Sequence, residues 1–190
     1  MSSCGLLCSA QGDIDKELSN EYSTQSALRN WRKHRAKLAQ DLGITAEYSG
    51  YTSRHDVKLV GVPKLATAHT VLNFAWAKRM QEFEDRPTTP SSEMRRGLFA
   101  NLSQSLIWHF SSVGGSTLCA SSAFYSFEQD CILDGTDMME LQGFGYVASR
   151  DRTFSSTEKR TLAGESFHLP SYGTVVFAFY LNPYAPWWKK

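Results

Sequence analysis

The sequence predicts an α+β protein, with N-terminal helices packed on a C-terminal antiparallel sheet in a single domain. Three observations carry this expectation. The first half places apolar residues at three- and four-residue steps, the pattern of helices with one buried face. Past Gly114-Gly115 the pattern gives way to serines, aromatics and glycines, and the last apolar run is β-branched and aromatic. Helices first and strands later make an α+β arrangement, and 190 residues without an internal repeat or long linker suit one domain.

Taken in order, residues 1–22 lack sustained periodicity and hold Asp13, Asp15, Glu17 and Glu21, so a mobile N-terminal arm is expected. Residues 23–182 form the domain, and 183–190 an aromatic-basic tail. Ser23, Thr24 or Ser26 caps a first helix that ends before Gly43, with Leu28, Trp31, Leu38 and Leu42 on its apolar side. Residues 56–62 alternate like a strand. Pro63 and Thr67 open a second helix to about Asp85, in which Leu65, Ala68, Leu72, Trp76, Met80 and Phe83 recur on one side. After a loop at 86–92, Thr89-Pro90 starts a third helix carrying Met94, Leu98, Leu102, Leu106, Phe110 and Val113, closed by Gly114-Gly115. Asp134-Gly135, between the apolar runs 131–133 and 138–141, predicts a two-residue hairpin turn. Residues 149–165 read as a polar connection, 169–173 as a turn, and 174–181 as a strand covered on both faces.

Composition narrows the function classes. Hydrophobic residues at 42% and charged residues at 21% exclude collagen, a coiled coil and global disorder. Lys plus Arg number 20 against 19 Asp plus Glu, so the chain is no uniformly basic nucleic-acid binder. The longest apolar run, 174–181, falls far short of the roughly 18–20 residues of a membrane span. The N-terminus lacks the basic segment of a secretory signal, and its acids argue against a transit peptide. Cysteines at 4, 8, 119 and 131 have neither CxxC spacing nor a His-x₃₋₅-His partner, so no zinc site is expected. The expectation is a reduced intracellular protein, soluble or peripherally membrane-associated, with no metal or other cofactor.

The sharpest local feature is basic. Arg29, Arg32, Lys33, Arg35 and Lys37 fall within nine residues with no acid among them, while the whole chain is only +1. On a helix, residues 29, 32 and 33 share one face, and 33 and 37 continue it. Such a stripe can bind phosphates, because that needs charge and no base-edge geometry. Its plain alternative is a solvated outer face. The tail offers Trp187, Trp188, Lys189 and Lys190, which suit a lipid headgroup region or a protein groove, or fold back as a lid on the core. Cys4 and Cys8 flank Leu6-Leu7 and could be S-acylated, or stand as thiols on the arm.

Catalytic signals are weak. His69 and His109 fall on apolar stripes, where a hydrogen-bonded core histidine is the plainer reading. Arg54-His55-Asp56 sets a base beside a carboxylate, but neighbours in an extended segment point to opposite faces. Cys119 or Cys131 could pair with His109 or His168, on residue type alone. Phosphate-binding, dinucleotide-binding, hydrolase and zinc-protease motifs are absent, and Asp130, Asp134 and Asp137 lack EF-hand spacing.

These residues favour a non-enzymatic structural, assembly or adaptor protein that binds a protein partner (or itself), an anionic membrane surface or nucleic acid. A dedicated RNA- or DNA-binding protein working through 29–37 is the first alternative. An enzyme built from dispersed His, Cys and Asp residues is the second. The plan is similar to that of the small matrix or assembly proteins of enveloped viruses, which join a membrane to a nucleocapsid through basic patches and flexible arms. This is an analogy of plan, carried by no residue motif.

Overall fold

Thr24 and Gly43 bound the first helix by chemistry local to each. In the computed structural model, helix α1 runs Gln25–Asp41, and the Thr24 hydroxyl accepts from the Ala27 amide at 3.2 Å. At its other end Gly43 takes φ 60°, and the amides of Gly43 and Ile44 return to the carbonyls of Gln40 and Ala39. That closure needs a left-handed residue, which glycine adopts without penalty. The structure describes residues 18, 20–53, 57, 59, 62, 64–84, 86, 91–103, 111–113, 118–119, 121–145, 153–166 and 168–181.

The chain divides into two compact units, one of residues 1–116 with 123–132, the other of 117–122 with 133–190. In the first unit, helix α2 spans Leu65–Glu82 and is buried along most of its length, from Ala66 to Ala77 except for the half-buried His69. Lys64, at its N-cap, makes no capping bond. The cap comes from Glu21, whose carboxylate accepts from the Ala66 amide (2.5 Å), the Thr67 amide (3.3 Å) and the Thr67 hydroxyl (2.9 Å). A carboxylate there meets unpaired amides and the positive end of the helix dipole. Leu18, fully buried, with Glu21 and Tyr22 of the expected arm, is therefore packed on the unit.

Helix α3 is one short turn, Ser91–Arg95. Gly97 at φ 65° ends it, and the chain continues as strand β1, Leu98–Asn101. Strands β2 (Ser111–Val113), β3 (Phe124–Ser126) and β4 (Cys131–Ile132) complete an antiparallel sheet of order β2-β1-β3-β4. The register pairs Phe99 with Ser112 on one side and with Ser126 on the other, and Tyr125 with Ile132. Helix α1 packs on α2, and α2 on β1. The core between them holds Leu28, Trp31, Leu72, Leu98, Leu102 and Phe127.

In the second unit, helices α4 (Gly135–Leu141) and α5 (Ser156–Glu165) pack together. Gly135 lies so close to α5 that a Cβ would collide with the Ser156 carbonyl, and its amide donates to the Ser156 hydroxyl at 2.9 Å. The buried Gln142 amide donates to the Ala163 carbonyl at 3.0 Å. Helix α6 follows at Leu169–Leu181.

The α+β class stands, with the sheet in the C-terminal half of the chain and helices on both sides of it in sequence. Several elements differ from expectation. Of the expected third helix, Ser91–Arg95 forms α3 and Leu98–Asn101 forms β1, with Leu102 just past the strand; Leu106 and Phe110 lie outside the described residues. Of the strand expected at 56–62, Val57, Leu59 and Val62 are described and lie in irregular chain. Asp134-Gly135 makes no hairpin. Asp134 accepts from the amides of Thr136 and Asp137, and Asp137 answers on the Asp134 amide, which is a capping box. Ser155 and Glu158 form the same box at α5, inside the expected connection. The hydrogen bonds from Ser155 hold the Glu158 carboxyl below the usual carboxylate range. The turn at 169–173 and the strand at 174–181 are one helix, since an unbroken apolar run has no period that separates helix from strand. Expectations for 1–17 and 183–190, including Cys4, Cys8, Trp187, Trp188, Lys189 and Lys190, lie outside the described residues.

Leu72→Ala and Leu102→Ala, at fully and almost fully buried positions, should each lower unfolding free energy by about 2–5 kcal/mol through reduced burial and a residual cavity. Urea denaturation of the two variants against the parent chain measures this.

Candidate functional site

Helix α1 sorts its basic residues by geometry. Leu28, Trp31 and Ala39 are buried, with Leu38 and Leu42 half-buried against the same core. Residues 28, 31, 35, 38 and 42 continue one row at alternating steps of three and four. Arg35 therefore sits on the core side, and its guanidinium lies over the Trp31 ring at 5.3 Å. Arg29, Lys33 and Lys37 form the opposite row and are exposed, with exposed Arg32 beside them. Of the five expected cations, four share the outer face and Arg35 does not. Among the described residues, Arg29, Lys33 and Lys37 enter no ion pair.

Arg35 instead helps line a small cleft of about 80 Å³ between α1, α2 and the loop after α1. Glu47, Thr52, His69, Thr70 and Asn73 also face it. A guanidinium, a carboxylate, an imidazole and hydroxyls give it mixed charge and many hydrogen-bonding groups. His69 thus faces this cleft, half-buried, where the sequence pattern places it on the apolar stripe.

The floor of the cleft is held by Asn73. Its side-chain oxygen accepts from the amides of Tyr51 and Thr52, both at 3.0 Å, and its nitrogen donates to the Thr52 hydroxyl and the His69 carbonyl, both at 2.9 Å. Tyr51, so placed, sends its hydroxyl to the Asp130 carboxylate. Tyr125 reaches the same carboxylate oxygen at 3.4 Å, and Arg95 holds the other oxygen at 2.7 Å. Asp130 sits at φ 52°, a left-handed conformation that aspartate tolerates better than most residues. Burial, then the bond to Asp130, pushes the Tyr51 phenol far above its ordinary value. Burial, reinforced by the nearby carboxylate, pushes Tyr125 up to about 12.

The dispersed catalytic residues fare differently. His168 Nδ1 lies 2.7 Å from the Ser171 hydroxyl, in a local helix-start contact. The Cys119 amide donates to the Ser122 hydroxyl at 2.9 Å, and the Cys131 thiol lies 3.8 Å from the Gln129 side-chain oxygen. His55, Asp56 and His109 lie outside the described residues. Among the described residues, no group of three or more His, Cys, Asp or Glu side chains could hold a metal ion.

Sequence reasoning missed Glu21, Asn73 and the Tyr51–Asp130 pair. For Asn73 a signal existed: an amide on the apolar side of a helix must find partners. For Glu21 and Asp130 the partners lie 45 and 79 residues away, with no local trace. Comparison with protein-family models, characterised proteins and solved structures gives no match to any of them.

Asn73→Ala should cost about 1–3 kcal/mol or more, because it leaves the amides of Tyr51 and Thr52 without their acceptor. Chemical denaturation checks it, with Thr70→Ala, which removes only a bond to the Ala66 carbonyl, as the milder reference. The tyrosines also set an alkaline limit. Phenols raised in the folded state contribute stability that is full below the unfolded value of about 10 and disappears as pH rises through the folded value. Stability should fall from about pH 10 to about 12, the value of Tyr125, and Tyr51→Phe/Tyr125→Phe should flatten that fall in melts across the range.

Proposed function

We propose that the protein is a non-enzymatic assembly or adaptor component that holds a phosphate-bearing polymer, RNA or DNA, against helix α1. The observation that carries this reading is the outer row of α1. Arg29, Lys33 and Lys37 stand four residues apart, exposed and outside any described ion pair, with Arg32 beside them. The row is about 12 Å long at 1.5 Å per residue, enough to follow several phosphates of one strand.

The same geometry predicts the character of the binding. The cations are on long stems, and the one aromatic of the helix, Trp31, is buried beneath Arg35. Base stacking on Trp31 is therefore excluded, and binding, carried by the row of cations, falls mainly on phosphates. It is sequence-independent and strongly salt-dependent. The charge is on the surface while the core-side row anchors the helix, so Arg29, Lys33 and Lys37 can be removed without disturbing packing.

Arg29→Gln/Lys33→Gln/Lys37→Gln should leave the thermal melt unchanged, and the quadruple variant that adds Arg32→Gln should reduce the slope of log K against log salt by about 0.7 for each single-strand phosphate no longer neutralised. Arg35→Gln should do the reverse, lowering the melt by removing the guanidinium that covers the Trp31 ring and sparing the slope. Filter binding of a single-stranded oligonucleotide across a salt series, beside thermal melts, measures both. A quadruple variant with the parent slope overturns the proposal.

A further inference from the structure

Helix α6 exposes apolar side chains that a folded protein ordinarily covers. Its residues 169–181 include no charged side chain. Tyr172 is 55% exposed, Val175 67% and Phe177 68%. We propose that α6 docks on an anionic lipid bilayer, partly inserted at the boundary of headgroups and acyl chains. This goes beyond the polymer-binding reading of α1 and does not rest on it.

The distribution of the exposed side chains selects the occupant. Tyr172 and Val175, three residues apart, share one side of the helix. Phe177, two residues past Val175, lies about 200° further round at 100° per residue. A groove or a partner helix covers a stripe roughly 100° wide, and would leave one of these sides in water. Acyl chains and headgroups can surround both.

The polar groups of the helix agree. The Thr174 hydroxyl donates to the Pro170 carbonyl at 2.9 Å, and the Ser171 hydroxyl is held by His168 Nδ1 at 2.7 Å. These hydroxyls, satisfied within the helix or by the residue just before it, need no water, a condition the apolar phase imposes. Thirteen residues make a helix of about 20 Å, shorter than the roughly 30 Å hydrocarbon core. In keeping with this, no helix among the described residues is long and apolar enough to cross a membrane. Insertion is therefore partial. Beginning six residues past Leu181 the sequence supplies Trp187, Trp188, Lys189 and Lys190, residue types whose indoles favour the headgroup level and whose ammonium groups meet anionic lipid.

The test uses the full chain and two kinds of vesicle, phosphatidylcholine alone and phosphatidylcholine with a minority of phosphatidylserine. The parent chain should sediment with the second kind. Val175→Asp/Phe177→Asp should cut the bound fraction by about tenfold or more. Lys189→Gln/Lys190→Gln should narrow the difference between the vesicle types by roughly tenfold. Melts without lipid check that the variants fold. Should either variant misfold, quenching of the unaltered chain's tryptophan fluorescence by lipids brominated on their acyl chains reads insertion without any substitution. Failure of the parent chain to sediment, undiminished binding of a folded aspartate variant, or absence of quenching overturns the proposal. So does an aspartate variant whose sole effect is to abolish a self-association seen by light scattering in lipid-free buffer, which would assign α6 to a second copy of the chain.

Discussion

The first unit depends on giving the Tyr51 hydroxyl a partner. Tyr51 is fully buried, with its ring 4.7 Å from Phe127 and 5.5 Å from Trp76. A phenol placed so deep must find an acceptor, or its burial costs more than its ring contributes. The acceptor is Asp130, and the rest follows from that choice. To present its carboxylate, Asp130 takes a left-handed backbone in the turn between β3 and β4. To balance its charge, Arg95 is brought in from the end of α3, and Gly97 turns the chain directly afterwards into β1. One hydroxyl thus ties a loop, a helix end and two strand connections together, through groups 35 to 79 residues apart.

The same loop bears on the helices. Asn73 fixes the amides of Tyr51 and Thr52 to α2, so the loop after α1 cannot drift from the helix it covers. Glu21 fixes the N-terminal end of α2. With α2 held at its start and its middle and buried along most of its length, α1 rests along the row from Leu28 to Leu42. That leaves the row of Arg29, Lys33 and Lys37 facing outward, and turns Arg35 inward over Trp31. The basic surface is thus a consequence of core packing as well as of composition.

What the sequence made legible is what depends on near neighbours. The limits of α1 rest on Thr24 and Gly43, and the apolar rows of α1 and α2 rest on spacings of three and four. The basic row was legible for the same reason, and so in principle was Arg35's inward position. The misreadings share a cause. Leu98 and Leu102 are four apart, a spacing that suits one side of a helix; Gly97 instead turns the chain, and Leu98–Asn101 pair as β1 with Leu102 just past its end. Asp134-Gly135 suits a hairpin turn and also a helix start, and Asp137 three residues on favours the start through the capping box. The run 174–181 has no polar residue past Thr174 to reveal a period. Glu21, Asn73 and Asp130 act through partners distant in sequence, and a single chain carries no mark of those pairings.

The two proposed contacts draw on opposite physics, and this bears on what a protein with both can do. Binding at α1 is a matter of counterion release, so it weakens steeply as salt rises. Binding at α6 is driven mainly by apolar burial, which screening leaves intact and excluded salts strengthen. The lysines after α6 add a smaller salt-sensitive share. The two contacts also belong to different compact units, with the basic row in the first and the apolar helix in the second. Neither surface then has to serve the other's chemistry: no cation of the row belongs to α6, and no charge interrupts it. An adaptor built this way releases its polymer before its membrane when ionic strength rises. The order follows from where the charged and the uncharged residues lie along the chain.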